Sequence, residues 1–371
     1  KQQIQEFMLS QNNEQQKLIF ALLGNIIGDA LGGPYEFFRY TQQITKKHEG
    51  ILKFPTTEKQ MEQLFASDSI MINGPPTNVN FNLRFGALPG QWTDDSCQML
   101  VLCDVIGKYK KVIGSEIHWG IDDWMKHAFK LPYCERLYKY NKKIKGEQTA
   151  YGIGATTFDT IVWFQQLKAK RHDLVEDLFT EVGTENSCGN GALMRNSPTF
   201  VFKETKTAMI QAWKQAKTTH RGDDQAVCCM LHTFIGNSYI YQQNLVDDKP
   251  DFDIFKQNCS ELNIEISETM NKILNSQSPF DWKDKKFCPK VSECTGGYAC
   301  DCIAIVLNYF WYEKPIEGLQ ELAMRGGDAD SNAAVLGAIY GAKYGVEAFA
   351  SNWVEAILQF DEFGYVCTAI N

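Results

Sequence analysis

Residues 326–345 read GGDADSNAAVLGAIYGAKYG. Two glycines, two aspartates and a serine open the stretch, and a run of small and apolar residues follows. The run carries Gly337, Gly341 and Gly345 at a spacing of four, with Ala338 and Ala342 alongside. Apolar residues recurring at three and four positions predict a helix, and Gly345 predicts its end. Gly inside a helix is about 1 kcal/mol less favourable than Ala. A row of glycines on one face therefore needs a compensating contact, and close approach of a second helix supplies one. A matching row lies near the other end of the chain: the apolar run Leu18–Leu31 holds Gly24 and Gly28, and Gly32 follows in step. The two segments are expected to pack together near the centre of an all-α molecule.

The same periodicity recurs in Cys97–Ile106, Phe158–Leu167, Ala208–Ala216, Ala226–Tyr241 and Ile303–Tyr312. Gly107 and Pro315 read as helix stops. Strand signals are few: Asn78–Phe85 alternates weakly, as a short strand or an extended loop would. Residues 53–89, 246–252 and 275–289 read as loops from their Pro, Asp, Asn and Ser content. No solenoid repeat appears, and no segment is biased enough for a long linker. The reading is one large domain of orthogonally packed helices over residues 18–371. A polar, Gln-rich extension, residues 1–17, precedes it.

Composition sets the outer bounds. The 371 residues include 37 Lys plus Arg and 45 Asp plus Glu, a net charge of −8, with 44% hydrophobic and 22% charged residues. These values suit a globular chain and exclude disorder, collagen and a small disulfide scaffold. Mild acidity argues against a nucleic-acid binder, which shows a basic stripe. The longest apolar run is too short to span a bilayer and contains Asp29. The twelve cysteines include Cys228-Cys229 and Cys300-Asp301-Cys302 but no C-x-x-C. Several sit in apolar runs, where Cys behaves as a small hydrophobe. A reducing compartment, cytoplasmic or nuclear, is expected.

The chemistry is written at helix starts. Gln91-Trp92-Thr93-Asp94-Asp95-Ser96 opens the run from Cys97, as Asp328, Asp330 and Ser331 open the glycine-faced run. Both have a turn, two carboxylates, a hydroxyl and then a buried helix. Capping accounts for one acidic residue per helix, since Asp, Ser and Thr satisfy free N–H groups and suit the dipole. It accounts poorly for two, because clustered carboxylates repel. Carboxylates and hydroxyls without imidazole or thiolate favour a hard cation such as Mg²⁺, Mn²⁺ or Ca²⁺. On pattern alone, capping and metal binding both stand. Other signals are weaker. The six histidines form no zinc spacing, and neither a nucleophile elbow nor a Walker loop is present. Gly189–Arg195 is either an ordinary turn or a small-residue loop offering N–H groups to a phosphate. His220 is a loop histidine, and Glu36 lies between aromatics just past the first glycine-faced run.

Taken in order, these segments resemble the ADP-ribosylglycohydrolase family. Gly28-Asp29-Ala30-Leu31-Gly32 with Glu36 resembles its N-terminal signature. Thr93-Asp94-Asp95-Ser96 resembles its first metal motif. Asn190–Arg195 with Pro198 resembles its ligand loop, and Thr219-His220 the next block. Thr295–Tyr298 and Gly326–Ala334 resemble the C-terminal signature. The blocks span nearly the whole chain. The resemblance implies an all-α fold with two Mg²⁺ ions, or Mn²⁺, in a central cleft. It implies Thr93, Asp94, Asp95, Asp328, Asp330 and Ser331 as metal ligands, with Ser331 where many members have Thr. Asn190, Gly191, Ala192, Met194, Arg195 and His220 would bind the substrate, and Glu36, Asp95 and Asp328 would be the catalytic groups. The implied partner is an ADP-ribosylated protein or a small ADP-ribose compound, met by a monomer. A helical Mg²⁺ phosphohydrolase and an inactive ADP-ribose-binding protein on the same scaffold are the alternatives.

Overall fold

The computed structural model describes residues 2–36, 90, 92–127, 152–170, 177–275, 296–310, 313–323 and 325–358. The helices in chain order are α1 (Gln2–Ser10), α2 (Asn13–Gly32), α3 (Asp94–Tyr109), α4 (Gly114–His127), α5 (Ala155–Lys170), α6 (Thr205–Lys217) and α7 (Asp223–Tyr241). They continue with α8 (Phe252–Glu261), α9 (Glu268–Leu274), α10 (Ala299–Phe310), α11 (Pro315–Ala323), α12 (Ala329–Tyr344) and α13 (Ser351–Leu358). Among the described residues the sheet structure is one hairpin, β1 (Leu245–Val246) antiparallel to β2 (Lys249–Pro250). The expected all-α class is borne out.

Each apolar run read from the sequence lies, over its described residues, in a helix: α2, α3, α5, α6, α7, α10 and α12 in turn, with Trp311 and Tyr312 outside the described residues. Asn78–Phe85, Gln91, Thr295 and nearly all of residues 53–89 and 275–289 lie outside the described residues. Three local expectations need correction. Gly107 does not stop α3; the helix runs to Tyr109, and Lys110 closes it in the left-handed conformation (φ 56°). Pro315 opens α11, where its missing N–H removes a donor that a first helical turn cannot use anyway. Residues 246–252 are more ordered than a loop: Asp247 and Asp248 turn the hairpin with φ of 49° and 58°, the two left-handed residues of a type I′ turn. The described part of the polar segment, residues 2–17, forms α1 and the start of α2. Asn12 caps α2 by accepting from Gln15 N at 2.9 Å.

The α2–α12 pair forms the centre. A Cβ on Gly24 would overlap the carbonyl of Gly337, one on Gly28 the carbonyl of Ala333, and one on Gly32 the carbonyl of Ala329. In return, a Cβ on Gly337 would overlap Gly24 O, and one on Gly341 would overlap Phe20 O. The two backbones touch directly, as the glycine rows predict. Residues 18–32 of α2 and 329–342 of α12 are buried all round, which is how a helix without a polar face is accommodated. Helices α7, α10 and α11 pack around α12. No helix among the described residues is long and apolar enough to cross a membrane.

Two core histidines are held neutral. His232 places Nε2 3.1 Å from Val335 O and Nδ1 3.3 Å from Asn196 Nδ2, so Nε2 carries the proton and Nδ1 accepts. His118 places Nε2 2.7 Å from Thr218 O and stacks on Phe164 at 4.9 Å. Burial lowers the His118 pKa to about 4 and the His232 pKa to about 3, from an ordinary 6.5. Between those values the unfolded chain binds more protons. Their contribution to stability is therefore complete above pH 6.5 and is lost as pH falls toward the folded values.

Two measurements test this picture. Gly28→Ala is expected to lower unfolding free energy by about 3 kcal/mol in urea melts, because the methyl meets backbone that cannot yield. Gly154→Ala, which meets nothing within 4 Å, should stay within about 1 kcal/mol of the parent. In side-chain NMR of the folded protein, the His118 and His232 rings should remain neutral at pH 5. Titration of either near 6.5 contradicts the burial argument.

Candidate active site

Three segments of helix and turn bring the acidic residues together. Thr93 is the N-cap of α3, in extended conformation (φ −111°, ψ −155°), and Asp94 and Asp95 fill the first turn. Gly326 and Gly327 adopt φ of 80° and 69°, a left-handed pair that turns the chain into Asp328, the N-cap of α12. Asp330 and Ser331 follow in its first turn. The third segment is the 3-10 turn Gly33–Tyr35, which follows α2 and leads to half-buried Glu36. These seven side chains line one cleft of about 510 Å³. Ligand-capable oxygens of Glu36, Asp328 and Asp330 lie within 4.8 Å of one another, as do those of Asp29, Asp95 and Asp330.

The electrostatics of this cluster are unfavourable as bare carboxylates. Burial raises the pKa of Asp94 to about 8, with the charges of Asp29 and then Asp328 adding to it. Burial first, and then the neighbouring carboxylates, push Asp95 and Asp330 well above the ordinary range. Burial also raises Asp328, although Asn190 Nδ2 donates to its Oδ2 at 2.6 Å. Asp95 Oδ2 lies 3.3 Å from Thr93 Oγ1 and Ser331 stands nearby, but among the described residues no donor is within hydrogen-bond distance of the buried Asp95 Oδ1. An unpartnered buried carboxylate oxygen is costly unless protonated or paired with a cation. The all-oxygen donor set of carboxylates and hydroxyls fits a hard divalent ion. The residues present therefore fit the metal that the sequence motifs imply.

A second wall comes from the 3-10 turn Asn190–Ala192, held by Asn190 N donating to Gly297 O at 3.1 Å and by Asn190 Nδ2 donating to Gly296 O at 2.9 Å. Asn190, Gly191, Met194 and His220 line the cleft, with the His220 ring against Gly191. Ala192 and Arg195, expected among the substrate-binding residues, do not line it. Arg195 is fully buried. It donates to Gln98 Oε1 at 2.9 Å, Gln215 Oε1 at 3.1 Å, Gln215 O at 3.1 Å and Thr219 Oγ1 at 2.8 Å. Thr219 Oγ1 in turn lies 2.8 Å from His220 Nδ1. Among the described residues His220 Nδ1 is the acceptor in hydrogen-bond reach of the Thr219 hydroxyl, so that proton goes to Nδ1 and His220 presents Nε2–H. Burial and then the Arg195 charge lower the His220 pKa to about 3, so it meets the cleft as a neutral donor. The arginine thus acts on the cleft through Thr219 and His220.

Two features had escaped the sequence reading. Gly152–Thr157, at the start of α5, forms a third wall. Gly152 has φ 63°, and a Cβ there would strike the Asp94 carboxylate, so only glycine fits. Ile153 has φ 130°, rare for a β-branched residue. A Gly-x-Gly before a helical run was the available signal. The second feature is the role of Asp29, which the sequence shows as a charge interrupting an apolar run and as part of the N-terminal signature, with no role attached. It is wholly buried and accepts hydrogen bonds from Thr93 and Ser96.

Comparison with known proteins agrees with this geometry. The model of the ADP-ribosylglycohydrolase family matches residues 10–368. The ADP-ribosylarginine hydrolase Tri1 of Serratia proteamaculans (strain 568) is 24% identical over 342 residues, covering 91% of this chain and 74% of that protein. Its counterpart in Pseudomonas putida (strain GB-1) is 23% identical over 347 residues, covering 91% and 73%. A solved chain described as an ADP-ribosylglycohydrolase-related protein complex has the same fold, with TM-score 0.62 and 19% identity over 96% of this chain and 98% of that one. A match over nearly the full length, with both acidic turns meeting in one cleft, places this chain in the ADP-ribosylglycohydrolase family.

Proposed function

We propose that the chain hydrolyses the glycosidic bond between ADP-ribose and a protein side chain, with arginine as the acceptor. The observation that carries this is the cluster of buried carboxylates at the cleft, with Asp95 Oδ1 lacking a donor among the described residues. The names of the two Tri1 relatives support arginine. Thr93, Asp94, Asp95, Asp328, Asp330 and Ser331 would hold Mg²⁺, two ions in the fullest reading. When bound, the metal would neutralise these side chains and supply Lewis acidity toward ribose hydroxyls and water.

The chain's own groups then divide the work. The start of α5 and the turn at Gly191 present helix-terminal N–H groups, which suit a diphosphate. Neutral His220 offers Nε2–H to the ligand, and Asn190 keeps Asp328 in place. Bond cleavage builds positive charge on the ribose, and the carboxylates around it stabilise that charge electrostatically. Asp95 or Asp328 orients the attacking water, Glu36 takes its proton, and the leaving guanidine regains one. Water is thus divided between free ADP-ribose and arginine.

The test is incubation with ADP-ribosylarginine peptide, ADP-ribosylserine peptide and phosphate esters, each with Mg²⁺ or with chelator. Free ADP-ribose should appear from the arginine peptide only when Mg²⁺ is present. Asp328→Asn and Asp330→Asn should each lower kcat/KM roughly 100-fold or more with helical circular dichroism unchanged. Phosphate release points instead to a phosphohydrolase, and tight ADP-ribose binding without turnover to a binding protein. Full activity in either variant removes the metal assignment.

A further inference from the structure

Asp29 belongs to no ligand or catalytic set derived above, yet its carboxylate is among the most fully engaged in the described residues. It lies on α2 and is completely buried. Oδ1 accepts from Thr93 N at 3.0 Å and Thr93 Oγ1 at 2.9 Å. Oδ2 accepts from Thr93 N at 3.0 Å, Ser96 N at 3.0 Å and Ser96 Oγ at 2.6 Å. A carboxylate offers about four lone-pair directions, and these donors occupy them. Asp29 lies close enough to Asp95 and Asp330 for all three to face one ion, but its acceptor capacity is already in use.

The donors show what it does instead. Thr93 is the N-cap of α3, yet its own side chain makes no capping bond. A helix start normally recruits a side-chain acceptor from the N-cap residue itself. Here the acceptor comes from another helix, and α3 is capped in trans by Asp29. This frees the Thr93 hydroxyl from capping. Its single proton points at Asp29 Oδ1 at 2.9 Å, while Asp95 Oδ2 is farther away at 3.3 Å. With the proton so directed, the lone pairs of Thr93 Oγ1 face the acidic cluster. Three residues along α2, Gly32 lies against Ala329 and the Cα of Asp330, at the start of α12. One turn of α2 therefore grips the starts of both acid-bearing helices, α3 through Asp29 and α12 through Gly32.

We infer that Asp29 is a positioning residue: by capping α3 in trans and taking the Thr93 hydroxyl proton, it presets the α3 half of the cation site against the α12 half. The inference rests on the cation reading proposed above. It assigns Asp29 no contact with ion or substrate; its effect passes through Thr93 and the first turn of α3.

The experiment is Mg²⁺ titration by calorimetry on the wild-type chain, Asp29→Asn, Ser96→Ala and the double variant. Ser96 is fully buried and belongs to no proposed ligand set, so its loss reaches the ion only through Asp29. Partners behind a metal ligand typically change affinity by roughly 10–100-fold. Asp29→Asn should weaken Mg²⁺ binding by at least about tenfold and Ser96→Ala by less. The double variant should fall short of the sum of the two, as expected for groups acting as a unit. Wild-type binding with Asp29→Asn within twofold of it overturns the inference alone. An unchanged Ser96→Ala, with Asp29→Asn weakened, overturns positioning in favour of direct ligation. If Asp29→Asn does not fold, Ser96→Ala decides: weakened binding supports the inference and unchanged binding overturns it. A wild-type chain that binds no Mg²⁺ overturns the cation reading, and this inference with it.

Discussion

The backbone contact between α2 and α12 is the constraint on which the other features depend. Glycines at 24, 28 and 32 meet α12 where any side chain would overlap a carbonyl. Apolar packing of ordinary side chains tolerates small shifts, but two touching backbones do not, because neither surface has a rotamer to adjust. The register of the pair is consequently sharp. It delivers the C-terminal end of α2 to the N-terminal end of α12, and with it Glu36 to Asp328 and Asp330. A site built on such rigid elements can hold carboxylates within 4.8 Å of one another despite their repulsion.

That repulsion is the second organising fact. Burial raises Asp94, Asp95, Asp328 and Asp330 together, and neighbouring carboxylates add to it at Asp94, Asp95 and Asp330. The protein compensates part of this with hydrogen bonds: Asn190 to Asp328, Gln98 to Asp94 at 3.3 Å, and Ser331 N to Asp330 at 2.9 Å. It does not compensate Asp95 Oδ1. A structural cluster would be expected to satisfy every buried oxygen. One left open beside raised carboxylates is what a site for a cation looks like before the ion's charge is included. Some of the carboxylates counted in the formal charge of −8 are therefore inside the molecule and not on its surface.

Arg195 shows where pattern reading fails. In sequence it closes a small-residue loop, and the family resemblance implies that it binds the substrate. In the fold its guanidinium is directed to Gln98, Gln215 and Thr219. It settles the tautomer of His220 one residue beyond its last partner. An arginine's reach lets it leave the surface on which its neighbours stand, and spacing along the chain says nothing about that direction. Asp29 shows the converse. A lone charge inside an apolar run looks like a defect in a helix, and only the arrival of Thr93 and Ser96 from α3 makes it a cap.

The sequence by itself determined the helices that carry a long apolar run, the glycine rows that join the central pair, and the two acidic helix starts. These are local matters: periodicity, turn chemistry and the steric demand of glycine act within a few residues. Thr93, Asp94, Asp95, Asp328, Asp330 and Ser331 were all legible as a set for that reason. Only the tertiary structure decided that Glu36 joins them, that Gly152–Thr157 walls the cleft, that Ala192 and Arg195 stand behind it, and that Asp29 caps a helix other than its own. Each of these depends on which atoms from distant segments meet, and on the direction a side chain takes once its backbone is placed.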